Sequence, residues 1–255
     1  MTYIEGFIAA VPITNKDAYV DHATGLAPLI RELGATRMVE SWSDDVPEGK
    51  VTDFRKSVQA KDDEAVVFSW FEYPDRAARD AANEKMMSDP RMKEMGAGMP
   101  FDGKRMIYGG FDTIVDERGS GTAGYTDGFV VPVPSEKKAD YQALAQRMAG
   151  KFKEYGAVRV LEAWGDDVPN GEVTDYRRAV QAQDGEEVVY SYIQWPDKGT
   201  RDAGWARMMA EDPERSTPMP FDGKRMFWGG FRPILDTAEE YGGWPILRVA
   251  SSGMS

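Results

Sequence analysis

Met99-Pro-Phe-Asp-Gly-Lys-Arg-Met106 returns letter for letter as Met219-Pro-Phe-Asp-Gly-Lys-Arg-Met226, and each copy runs on into Gly-Gly-Phe (109–111 and 229–231). Upstream the correspondence holds at an offset of 122 residues: Gly6 matches Gly128, Tyr19 matches Tyr141, and Val51-Thr-Asp-Phe-Arg55 matches Val173-Thr-Asp-Tyr-Arg177. Glu40-Ser-Trp-Ser-Asp-Asp-Val-Pro47 likewise matches Glu162-Ala-Trp-Gly-Asp-Asp-Val-Pro169. A repeat of this length sets the architecture ahead of any local reading, and its period of about 115–122 residues is too long for a solenoid unit. It is long enough for a domain with its own core. The expected division is a first repeat at 1–117, a Gly-rich linker at 118–124, a second repeat at 125–237 and a tail at 238–255.

Within one repeat, Tyr3 to Val11 is rich in strand formers and is closed by Pro12; Tyr125 to Val133 is its twin. A helix follows, with Thr14 or Asn15 (Ser135 in the second copy) as cap. Tyr19, Ala23, Leu26, Ile30 and Leu33 form its inward stripe, and Gly34 stops it. Pro28 predicts a kink in the first copy. Ala35 to Trp42 predicts a strand, Asp44 to Gly49 a turn, Thr52 to Ala60 a further strand by its alternation, and Ala65 to Tyr73 a strongly apolar strand. Asp75 caps a second helix through about Met87, a loop leads to Pro100, and Arg105 to Ile114 is the last strand. The order is that of a split βαβ arrangement with one additional strand. The fold class expected is α+β: two ferredoxin-like units, each an antiparallel sheet with two helices, covering each other sheet to sheet.

Net charge is −12, so the surface repels phosphate backbones and nucleic acid is not an expected partner. With no cysteine, disulfides and thiolate chemistry are excluded. Met-Thr-Tyr-Ile-Glu at the start lacks the pattern of a signal peptide, and no apolar run approaches the ~20 residues of a membrane span. The expectation is a cytoplasmic protein without a membrane partner, an intramolecular pseudo-dimer that leaves room for a higher oligomer.

The Asp127-Gly-Phe-Val-Val-Pro-Val-Pro134 strand, the Glu-x-Trp-x-x-Asp-Val-Pro blocks, Val-Thr-Asp-Phe-Arg and above all Met-Pro-Phe-Asp-Gly-Lys-Arg-Met resemble the YbaA-like domain of unknown function from bacteria. The resemblance covers nearly all of 2–117 and 124–237. Members usually carry one copy, so this chain reads as a tandem fusion. The resemblance implies a dimeric α/β-barrel with the fused halves replacing two subunits. It implies no reaction, since the wider fold serves cofactor-free monooxygenases, haem enzymes and plain binding proteins.

The candidate ligand-binding residues are Glu40, Trp42, Asp53, Arg55 and Arg105, with their twins Glu162, Trp164, Asp175, Arg177 and Arg225. Glu40 shares a strand face with Met38 and Trp42, so covering both sheet faces buries it. A buried carboxyl must find a partner or shift its pKa upward. Arg55, Arg105 and their twins are the expected partners, either as register-fixing ion pairs or as part of a pocket holding a general acid or base. Asp53, Arg55, Ser57 and Gln59 read as one polar strand face. Trp42, Trp164 and Trp70 read as core or as a pocket wall. Met-Pro-Phe-Asp-Gly-Lys-Arg-Met lacks phosphate-loop spacing and reads as a turn built on Asp102. His22 is the only histidine and Leu144 occupies its counterpart position in the other copy, so no metal or cofactor is expected. The tail Tyr241 to Val249 suggests an added strand or arm. The two functions in view are binding, with or without transformation, of a small organic molecule in a barrel pocket, inside each half or between the sheets, and a non-catalytic structural or interaction module held by buried ion pairs. If ligands bind, the two halves are expected to differ.

Overall fold

The computed structural model of the protein describes residues 2–211 and 218–238. In chain order it contains β1 (Tyr3–Pro12), α1 (Lys16–Glu32), β2 (Arg37–Asp45), α2 (Phe54–Ser57), β3 (Glu64–Tyr73), α3 (Arg76–Ser88), α4 (Pro90–Ala97) and β4 (Ile107–Arg118). The second half repeats the pattern with β5 (Tyr125–Pro134), α5 (Lys138–Glu154), β6 (Arg159–Asp167), α6 (Tyr176–Ala179), β7 (Glu186–Trp195), α7 (Lys198–Glu211) and β8 (Phe227–Asp236). The eight strands close into one antiparallel barrel in the order β1-β3-β2-β8-β5-β7-β6-β4. Each half contributes four adjacent strands, and the halves join edge to edge where β2 pairs with β8 and β4 with β6. Closure leaves no strand edge unpaired.

Alternation along each strand divides its side chains between the barrel interior and the helices. Ile4, Ile8, Val39, Phe68 and Trp70 from the first half pack inside against Val130, Leu161, Tyr190, Tyr192 and Phe231 from the second. Phe68 stacks on Tyr190 at 4.6 Å between ring centroids, and Trp70 stacks on Tyr192 at 4.2 Å. Mid-strand glycines make room: a Cβ on Gly6 would lie 2.8 Å from the Tyr190 ring, and one on Gly128 would lie 2.9 Å from Phe68. Each glycine thus admits an aromatic ring from the opposite half.

The additional strand expected over Thr52 to Ala60 does not form. That segment is a loop around α2, capped by Asp53, whose Oδ1 accepts from the Lys56 amide at 2.7 Å and Oδ2 from the Gly49 amide at 3.1 Å. Phe54 and Val58, one helical turn apart, both bury in the barrel interior, so the apparent alternation is a short helix plugging the barrel. Gln59 and Gln181 then adopt positive φ, 50° and 51°, outside the extended region of a regular strand. The loop expected before Pro100 holds α4, capped by Asp89. Neither Thr14 nor Asn15 caps α1 through its side chain, and no side chain caps α5; each helix is entered through a short 3-10 turn, Ile13–Asn15 and Ser135–Lys137. Asn15 donates instead to the Pro100 carbonyl at 2.8 Å. The expected tail strand lies outside the described residues.

Reciprocal contacts tie the halves. Tyr3 donates to Asp166 and Tyr125 to Asp44, both at 2.9 Å; Thr52 donates to the Ala179 carbonyl and Thr174 to the Ser57 carbonyl, at 2.6 and 2.7 Å. Arg79 reaches Asp167 at 2.6 Å and Arg201 reaches Asp45 at 3.0 Å. The repeated Asp-Asp-Val-Pro motif is therefore a latch onto the opposite half, beyond its role in turning the chain.

Candidate active site

Beneath α1 the helix-facing side of the sheet carries Met38, Glu40 and Trp42 from β2, as strand alternation requires. Tyr19, on the inward stripe of α1, donates its hydroxyl to Glu40 Oε2 at 2.6 Å. Ser69 lies directly across from Glu40 in the β2–β3 register. Glu40 is buried, and desolvation drives its pKa up to about 7 against the opposing effect of hydrogen bonds from Tyr19 and Ser69. Tyr19 is itself held well above the ordinary tyrosine range, first by burial and then by the Glu40 charge.

A cavity of about 430 Å³ opens on this pair, between the sheet and the helices of the first half. Its walls are Phe7, Ala9 and Phe71 from the sheet, His22, Leu26 and Ile30 from α1, and the methionines of α3, α4 and the segment after them. Glu5, Asn83, Ser69 and Tyr108 complete the polar part of the lining. Unbranched, polarizable methionines make such a wall adaptable. Burial lowers the pKa of His22, favouring its neutral form. Among the described residues no group of three or more His, Asp or Glu is arranged to hold a metal, and no helix is long and apolar enough to cross a membrane.

The second half repeats the pair: Tyr141 donates to Glu162 at 2.7 Å, and burial raises Glu162 to about 7. Its surroundings differ. Leu144, Phe152 and Trp205 stand where the first half has His22, Ile30 and Asn83. The Trp205 ring packs on Phe152 at 5.0 Å and its indole N–H donates to Asp127 at 2.8 Å.

Of the residues proposed from sequence, only Glu40 lines the cavity, with Glu162 at the matching place. Trp42 and Trp164 share their strand faces but lie under Lys16 and Lys138, whose ammonium groups sit 5.3 and 4.9 Å from the ring centres. Trp70 points into the barrel, so it walls no pocket on the helix side. Asp53 and Asp175 are helix caps. Arg55 donates to the carbonyls of Lys61 and Glu64; Arg177 donates to the Glu186 carbonyl and to Glu187. Arg105 forms a two-pronged pair with Glu64 at 2.7 and 2.8 Å, and Arg225 pairs with Glu186 at 2.5 and 2.6 Å. The expected Glu–Arg partnership is thus corrected: arginines take the acids at the start of β3 and β7, and a tyrosine takes Glu40. Asp102 accepts from the Lys104 amide at 3.1 Å, as the turn reading requires, while Met99, Phe101 and Met106 of the same motif reach the cavity.

Tyr19, Glu5, Asn83 and Ser69 escaped the sequence reading. The signal for Tyr19 was present: a hydroxyl on an inward helical stripe, in both copies, needs a buried partner.

The family model described as "Protein of unknown function (DUF1428)" matches twice, at residues 2–103 and 124–223. The uncharacterized protein YbaA of Escherichia coli K12 is 64% identical over 117 residues, 46% of this chain and all of its own length; YbaA of Shigella flexneri gives the same figures. Among solved structures, a candidate monooxygenase from Fusobacterium nucleatum has a similar fold, with TM-score 0.57 and 11% identity over 95% of each chain. A candidate monooxygenase from Lactobacillus acidophilus follows at TM-score 0.55 and 8% identity, covering 96% of this chain and 99% of its own. An anthrone oxidase-like protein has TM-score 0.52 and 10% identity over 94% of each chain. At these identities the likeness concerns the fold alone. With both halves matched by one family model, the chain belongs to the DUF1428 family as a tandem duplication of a YbaA-like domain.

Proposed function

We propose that the first half binds a small, largely apolar organic molecule in the cavity beside Glu40, and that Glu40 takes a proton from it while Tyr19 holds the carboxyl in place. The observation that carries this reading is a carboxyl with a pKa of about 7 at the wall of a cavity of about 430 Å³ with a mainly apolar lining. A base works best when its pKa lies near the working pH, and an apolar cavity with a few placed polar groups is the usual form of a small-molecule site. The proton passes from ligand to carboxylate and returns; no metal or nucleotide enters this scheme. The strand order β4-β1-β3-β2 within the first half supports the ferredoxin-like reading of each repeat, with 1–117 and 125–237 as its units.

A second reading, a structural module held by buried ion pairs, has its own observation. Arg105–Glu64, Arg225–Glu186 and the cluster in which Glu72 lies between Arg37 and Arg159 are such pairs, and the cluster spans both halves. None of these residues lines the cavity. They account for the barrel and leave Glu40 without a role, which favours the first reading.

The test is a thermal-shift screen of neutral apolar molecules against the wild type and an Ile30→Phe/Asn83→Trp variant that copies the second half. Stabilisation of the wild type alone is expected. For a ligand with an acidic C–H, wild type in D2O should exchange that hydrogen, with half-maximal rate near pH 7, and Glu40→Gln should not. Equal stabilisation of the filled variant would remove the cavity as the site.

A further inference from the structure

We infer that the first-half cavity takes a flat aromatic molecule bearing an N–H or O–H donor, and that the carboxylate of Glu5 receives that donor. This rests on the cavity reading above and names its ligand class. The second half carries its own occupant of that description. Trp205 lays its ring 5.0 Å from Phe152 and 6.3 Å from Phe129, and its Nε1 donates to Asp127 Oδ2 at 2.8 Å. Trp195 donates to the same oxygen at 3.0 Å, and Arg201 to Oδ1 at 2.8 Å, so every part of that carboxylate is used.

In the first half the repeat places Asn83, Ile30, Phe7 and Glu5 at the positions of Trp205, Phe152, Phe129 and Asp127, and all four line the cavity. Asn83 and Arg79 share a single oxygen of Glu5, Oε1, at 3.1 and 3.2 Å. Oε2 is buried and has no partner among the described residues. Tyr73, at the place of Trp195, leaves its buried hydroxyl without a partner as well. Glu5 is only 3% exposed. A buried carboxylate oxygen without a donor is costly, and each such atom calls for an explanation. An aromatic ligand placed as Trp205 is would supply the missing donor and fill the space that Asn83 leaves. Among the described residues no lysine or arginine lines the cavity, while two carboxyl side chains do, so an anionic ligand would find no counter-charge from them.

The test is isothermal titration calorimetry of the full chain with indole and with 1-methylindole, which has the same ring and no donor. Indole should bind at one site per chain and about tenfold more tightly than 1-methylindole. Glu5→Gln should erase that preference, and Asn83→Trp should abolish binding of both while the fold, read by circular dichroism, is retained. Equal affinities in the wild type, or unchanged indole binding in Asn83→Trp, would overturn the inference and leave the cavity open to other ligands. No binding of either probe would overturn the inference, whereas the thermal-shift comparison decides the cavity reading separately.

Discussion

Glu40 is protonated and ionised in comparable measure near neutral pH, and that has a consequence for stability whose sign can be worked out. Its folded pKa of about 7 lies above the ordinary carboxyl value of 4.5. Below pH 4.5 it is protonated in both folded and unfolded chains and contributes no pH dependence. Between 4.5 and 7 the folded chain holds the proton that the unfolded chain has lost, so stability falls as pH rises. Glu72 acts in the opposite sense: although burial opposes it, Arg159 and Arg37 hold it down to about 2. Its contribution is present above 4.5 and is lost as pH falls through 2. Glu40→Gln, which keeps the shape of the neutral carboxyl, should therefore gain on the wild type by about 3 kcal/mol between pH 4.5 and 7.5. Urea unfolding at a series of pH values reads this directly. Parallel stability curves for the two proteins would mean that Glu40 is solvated. The burial of Glu40 was legible in the sequence because strand alternation sets it between Met38 and Trp42. Its partner was not, because Tyr19 lies on another element and only the packing of α1 on β2 brings them together.

At the scale of elements, α2 shows where sequence patterns mislead. Thr52 to Ala60 alternates polar and apolar well enough to pass as a strand, and Asp53 with Arg55 then looks like a polar face able to hold a ligand. The same residues equally satisfy a cap followed by an i, i+4 apolar pair, Phe54 and Val58, and the barrel opening favours the helix because it buries both. Asp53 accepts from two backbone amides and from Lys56 at 3.0 Å. Asp53→Ala should accordingly destabilise the fold by about 1–2 kcal/mol, a typical loss for a removed cap. Indole binding should be unchanged, since Asp53 does not line the cavity. Denaturant midpoints and calorimetry on the same variant check both halves of that expectation. A ligand role for Asp53 would appear as lost binding with the midpoint intact. By contrast, β1, α1, β2, β3 and α3 were all recognisable from periodicity, Asp75 and the glycine stops. Helix α4, only eight residues long, was lost among Gly, Pro and Met residues that carry no clear stripe.

The repeat announced the whole molecule as a fusion of two like units, but it could not show how they close. Pairing of β2 with β8 and β4 with β6 leaves no period in either strand, and aromatic residues inside the barrel read like any core. A pocket inside each half or between the facing sheets was the expectation; the space between the sheets is filled by rings from both halves, and the cavity lies on the helix side of the first. This interlocking makes the barrel one cooperative body, since the interior cluster and two of the eight strand pairings belong to neither half alone. Gly6→Ala tests it. The added methyl would meet the Tyr190 ring of the opposite half, and crowding of this kind costs about 1–3 kcal/mol. Were the halves independent, only the first would weaken. In a single cooperative barrel, amides of β7 and β8 should lose as much hydrogen-exchange protection as those of β1 and β3, and tryptophan fluorescence and circular dichroism should report one coincident, lowered transition. Two separate transitions, or protection lost from the first half alone, would show that the halves unfold apart and that each supports its own core without the other.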